Sequence, residues 1–122
     1  MTKDELADRL LEFAARIGRL VDALPESRLG RHIAGQLVRS GTAPAPNYEE
    51  GCSAESRNNF IHKLSICLKE LRETRMWLRL IGRAALMKPV LLTELIDECE
   101  QLGRIIGKSV VTAKENARAH RV

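Results

Sequence analysis

Three histidines, three cysteines and an arginine-rich stretch are the side chains through which this 122-residue chain could do chemistry. A di-iron site held between helices needs Glu-x-x-His, which puts a carboxylate and an imidazole one turn apart on the same face. The residues three before His32, His62 and His120 are Leu29, Asn59 and Ala117, so no histidine has that partner. No cysteine stands four residues from a histidine, and structural zinc needs a tighter ligand set. Cys67 and Cys99 fall on apolar stripes, where a thiol behaves as a small hydrophobe. Cys52 lies at a turn, with no histidine or cationic cluster spaced to activate it as a nucleophile. Gly103 and Gly107 stand four apart within a helical pattern, outside the strand-loop-helix context of a phosphate loop. Small residues there suit close approach to a neighbouring helix or another subunit. The expectation is no enzyme, no metal and no cofactor.

The charges carry more. Arg72, Arg75, Arg79 and Arg83 follow i, i+3, i+7, i+11 and so form one stripe along a helix. Between Arg57 and Lys88 eight cations stand against two carboxylates, Glu70 and Glu73. Such a surface binds phosphates, with affinity that falls as salt rises. Over the whole chain 20 Lys and Arg exceed 16 Asp and Glu, giving a net charge of +4 and a pI near 9.3. Arginine supplies 14 of those cations, and its planar fork suits phosphate better than an ammonium does. The few aromatics (Phe13, Tyr48, Phe60 and Trp77) argue against a platform on which single-stranded bases could stack. Recognition of RNA or DNA would be led by the backbone and only weakly sequence-specific. The bland reading is a solvated face with i, i+4 pairs such as Lys69 to Glu73. An alternative function is a homo-oligomeric protein-protein interaction module with no nucleic-acid role. In that reading the arginines pair across subunits with Glu94, Glu98 and Glu100.

The elements that position these residues are helices. Leu6, Leu10, Phe13, Ile17, Leu20 and Leu24 recur every three or four positions, behind acidic residues that suit a helix N-terminus. Leu24-Pro25-Glu26 ends that pattern, and Ser27 can cap a second helix bearing Leu29, Ile33, Leu37 and Ser40. Pro44 and Pro46 each remove an amide and crowd the carbonyl four residues earlier, which predicts a kink or break in helix two. Gly51 reads as its C-terminal stop and Ser53 as the next N-cap. Helix three is then expected from about Ser53 to Ala84, burying Phe60, Leu64, Cys67, Leu71, Thr74, Leu78 and Ile81. Met87-Lys88-Pro89 is a turn. Helix four follows with Leu92, Leu95, Ile96, Cys99, Leu102, Ile106 and Val110 at helical spacing. Four amphipathic helices on short links bury their stripes in an all-α, antiparallel, up-down-up-down four-helix bundle over residues 1–114. Residues 115–122 lose the apolar face and read as a frayed or disordered tail. The odd cysteine count, the absence of a CxxC pair and an N-terminus without an apolar signal core point to a reducing cytoplasm.

The segment from Gln36 to Gly51, QLVRSGTAPAPNYEEG, resembles the signature of the bacterial four-helix-bundle protein family whose early members are encoded in intervening sequences of large-subunit ribosomal RNA genes. FIHKL from Phe60 and KELRETRMWL from Lys69 resemble that family's third helix. The accessory variability protein of diversity-generating retroelements looks like a relative. The resemblance implies a homo-oligomer, typically a homopentamer, without known enzymatic activity. For the retroelement relatives it implies a basic surface that meets nucleic acid and a reverse transcriptase. Ala43-Pro44 departs from the Ser-Ile usual before the Asn, which bears on local helix geometry. The motif residues Gln36, Arg39, Asn47, Glu50 and Gly51 are expected to be structural or to line a subunit interface. Asn47 and Glu50, three apart, could satisfy backbone groups that the prolines leave unpaired.

Overall fold

A computed structural model describes residues 1–120. Its helices are α1 (Lys3–Asp22), α2 (Arg28–Thr42), α3 (Pro44–Cys52), α4 (Arg57–Arg83) and α5 (Pro89–Ala119). Three starts carry the cap that their sequence provides. Thr2, Ser27 and Ser56 are extended, and their hydroxyls accept from the amides of Glu5, Gly30 and Asn59 at 3.0–3.1 Å. α5 opens on Pro89, whose missing N–H would be unpaired at this position in any helix.

α2 and α3 are one helix with a bend, and the bend sits where the two prolines placed it. Ala43 keeps helical angles (φ −69, ψ −34) and its amide still reaches Arg39 O at 3.2 Å. Pro44 and Pro46 have no N–H to offer Ser40 and Thr42, so the ladder fails at alternate steps and the axis turns. Counting α2 with α3, the chain forms an up-down-up-down bundle of four. α1 packs on α2 and α3, those two on α4, α4 along α5, and α1 closes the ring against α5. The expected stripes make the core, with Phe13, Ile17, Ile33, Leu37, Leu64, Leu71, Leu78, Ile81, Leu102 and Ile106 sealed from solvent. Ser40, Glu70 and Thr74 are buried with them, and no buried side-chain N or O among the described residues lacks a partner.

Four local expectations change. The third helix of the bundle begins at Arg57 behind Ser56, because Ser53 (φ −95, ψ 3) ends α3 with its amide on Glu49 O and lacks the extended backbone of an N-cap. Gly51 is not a stop; it lies inside α3 without positive φ. Its role is clearance, since a Cβ there would stand 2.9 Å from Leu64 Cδ1 and 3.1 Å from Lys63 Cβ. Leu29, assigned to the apolar face of α2, is 41% exposed. Residues 115–119, Glu-Asn-Ala-Arg-Ala, continue α5 to Ala119, which suits a run without Gly or Pro and with two alanines. Arg121 and Val122, the end of the expected tail, lie outside the described residues.

Candidate nucleic-acid interface

α4 has three working sides. Its apolar stripe faces the core, and the opposite side carries Arg72, Arg79 and Arg83, all exposed, with Met76 between them at 45% exposure. Arg75 stands at the border with α5, where its Nε lies 3.5 Å from Glu100 Oε1. The structure thus brings the four predicted arginines to one face, with three of them unpaired by any carboxylate among the described residues. α5 adds Arg104, which the sequence reading missed. Together with Arg72 and Arg75 it rims an open hollow of 410 Å³ between α4 and α5, floored by Leu68, Leu71, Cys99, Gly103 and Gly107. The hollow stays open because nothing lies within 4 Å of a Cβ built on Gly103, and only Leu68, at 3.9 Å, near one on Gly107. A second hollow of 360 Å³ continues the groove beside Arg79 and Arg83.

The motif residues lie elsewhere. Arg39 reaches from α2 to α4, donating to Glu70 Oε2 at 3.0 Å and to Glu73. Glu73 also accepts from Trp77 Nε1 at 3.0 Å, and Trp77 meets His32 edge-on with ring centroids 5.8 Å apart. Glu73 is therefore turned toward α2, and the Lys69 pair expected of a solvated face does not form. Below Arg39, the Thr74 and Ser40 hydroxyls hydrogen-bond at 2.9 Å inside the core. Asn47 Nδ2 donates to Ala43 O at 2.9 Å, and Glu50 pairs with Lys63 Nζ at 3.0 Å, joining α3 to α4. Gln36 is half-buried on α2. Arg39, Asn47, Glu50 and Gly51 thus secure the bent helix and clamp it to α4, on the flank away from Arg75 and Arg104.

Glu94 and Glu98 are engaged within the chain by α1: Arg16 approaches Glu94 at 3.7 Å, and Arg9 forks onto both oxygens of Glu98. The hydrogen bond to Glu98 raises the Arg9 pKa above its ordinary value. Among the described residues no three His, Cys, Asp or Glu side chains gather as metal ligands. Burial pushes the Cys67 and Cys99 thiols up to about 12, and they donate to Pro44 O and Leu71 O. Both are inert core groups at neutral pH. Among the described residues no helix is long and apolar enough to cross a membrane.

Comparison with known proteins agrees with this architecture. A crystal structure of a protein of unknown function from the S23 ribosomal protein family of Bacteroides thetaiotaomicron superposes with a TM-score of 0.83 at 31% identity, over 90% of this chain and 98% of that one. No curated protein is significantly similar. The family model for the 23S rRNA-intervening sequence protein matches residues 3–108, so the chain belongs to that family.

Proposed function

We propose that this protein is a non-enzymatic accessory or scaffold protein that binds the backbone of RNA or DNA through the outer face of α4. The observation that carries the reading is the exposure of Arg72, Arg79 and Arg83 on one helix face, none of them in a salt bridge among the described residues. Family membership supports it, because the family takes its description from ribosomal RNA intervening sequences. The same proposal holds that the chain acts as a homo-oligomer, a pentamer by its resemblance, which repeats the arginine face around a ring. Multiplying a weak face raises its effective affinity without new contacts. A partner enzyme such as a reverse transcriptase would meet that assembled surface.

A mobility-shift titration across a salt series tests the binding. Affinity should fall steeply between 50 and 200 mM salt. Arg79→Glu with Arg83→Glu should abolish the shift while leaving the melting curve intact. No shift at the lowest salt would end the proposal. Light scattering gives the oligomer mass, and a monomer at working concentration would remove the ring.

A further inference from the structure

We infer that the nucleic acid held by the α4 face is a double helix gripped by its phosphates, and that Glu100 restrains this grip; the inference rests on the binding reading above. The face offers cations and almost nothing flat. From Arg72 to Arg83 the helix rises roughly 16 Å, enough to face several successive phosphates of one strand. Arg104 adds a cation from α5 across the open hollow. The Phe, Tyr and Trp rings are spent elsewhere. Phe13 and Tyr48 are in the core, Phe60 is half-buried at the start of α4, and Trp77 is turned to α2 by its bond to Glu73.

A single strand therefore loses the stacking that normally repays its ordering, about 1–3 kcal/mol per base. A duplex arrives with its bases already stacked and its phosphates already spaced. The shape agrees. α4 is flanked along its length by the bent α2–α3 helix and by α5, so it cannot enter a major groove that admits one helix, still less the deep, narrow groove of RNA. What remains is contact with the outside of the backbone, without base readout.

Glu100 stands on this face with an oxygen 3.5 Å from Arg75 Nε. It occupies Arg75 and sets a carboxylate where a phosphate would lie. The free set is then Arg72, Arg79, Arg83 and Arg104, about four phosphate contacts. Glu100→Gln releases a fifth and removes the repulsion.

The test is fluorescence anisotropy with the full chain and a 16-base-pair sequence without self-complementarity, supplied as RNA duplex, DNA duplex and each labelled strand alone. At least one duplex should bind tenfold or more tighter than its strands, with a log K against log salt slope near −4, about −0.9 per contact. Glu100→Gln should tighten duplex binding several-fold and steepen that slope by about 1. Asp8→Asn, an exposed carboxylate on α1, which does not pack on α4, should change neither. Strands that bind as tightly as duplexes overturn the inference and leave the binding reading standing, as arginines stacking on bases would do. Silence from every probe at 50 mM salt overturns the reading itself. A Glu100→Gln protein that binds no better refutes the restraint.

Discussion

Gly41 lies on α2 where it crosses α1, and replacing it with alanine isolates one packing contact. A Cβ there would stand 2.7 Å from Ile17 Cγ2, 2.9 Å from Cγ1 and 3.1 Å from Cβ. Carbon atoms rest about 3.5–4.0 Å apart, so one partner must retreat by close to 1 Å. Ile17 is fully buried and β-branched, held in one rotamer by its helix, and cannot swing aside. Overpacking of this kind costs about 1–3 kcal/mol. Against it stands the helix preference of Ala over Gly, about 1 kcal/mol. Gly18 and Gly35, also inside helices, have nothing within 4 Å of a built Cβ, and so report the preference alone. Gly35→Ala and Gly18→Ala should gain about 0.5–1 kcal/mol, whereas Gly41→Ala should lose up to about 2. For 122 residues each kcal/mol is worth about 4 °C in Tm. Urea melts followed by circular dichroism should therefore separate Gly41→Ala from the two controls by about 1–3 kcal/mol. A Gly41→Ala protein as stable as Gly35→Ala would refute the claim that α1 and α2 are set by this approach.

Other expectations follow from single contacts. Ser56→Ala should cost about 1 kcal/mol as a lost N-cap, while Ser53→Ala should change the melt by no more than a few tenths. Ala85 ends α4 in the left-handed region at φ 55, with Leu86 N bonded to Ile81 O. Ala85→Gly should then stabilise by about 0.5–1 kcal/mol, read as a Tm rise of a few degrees. Asn47→Ala deletes the bond to Ala43 O and should cost about 1 kcal/mol with nucleic-acid affinity unchanged; an unchanged Tm would deny it a bracing role. Buried thiols also set an alkaline limit. Cys67 and Cys99 are raised from an ordinary 9.0 to about 12, and Tyr48 is raised above 10, each chiefly by burial. The unfolded chain releases these protons first, so stability is whole below pH 9 and declines as pH climbs toward 12. Tm measured from pH 8 to 11 should fall, and fall less in a Cys67→Ala, Cys99→Ala variant.

The bundle was legible because it rests on periodicity. Leu6, Leu10, Phe13 and Ile17, or Leu92, Leu95, Cys99 and Leu102, mark an inward stripe whatever the tertiary detail. Proline is equally plain, since a missing amide cannot be restored by context, and the bend fell at Pro44 and Pro46. Serine and glycine were less plain. Ser53 and Ser56 are chemically equal caps, and only the backbone around them decides which one caps. Gly51 has the composition of a stop, yet it is needed because Leu64 and Lys63 come close, a fact about a partner 12 residues and more away. The arginine stripe could be read from spacing. Arg104 could not, because its place beside Arg72 depends on the register of α5 against α4. Nor could the turning of Glu73 to Arg39 and Trp77.

That turning matters for function. A face that only keeps a bundle soluble is served by mixed charges, which neutralise each other at i, i+4 spacing. Glu73 stands four residues from Lys69 and could have supplied such a pair, but its Oε2 accepts from both Arg39 and Trp77 on the far flank. Glu70 is buried and bound to the same Arg39. The two carboxylates of α4 are thus withdrawn to clamp α2, and Glu100, from α5, returns negative charge to the face beside Arg75. Crowding cations along roughly 16 Å of helix costs self-repulsion that a polyanion relieves. Exchanging the sign at Arg79 and Arg83 would spare the fold, since neither pairs with a carboxylate among the described residues and both project to solvent. The clamp at Arg39 and the face at Arg79 are separable for that reason. Arg39→Ala should lower Tm with little effect on binding, and Arg79→Glu with Arg83→Glu should do the reverse. A binding loss in Arg39→Ala equal to that of the Arg79 and Arg83 pair, in protein that remains folded, would place the nucleic acid on the wrong flank of α4.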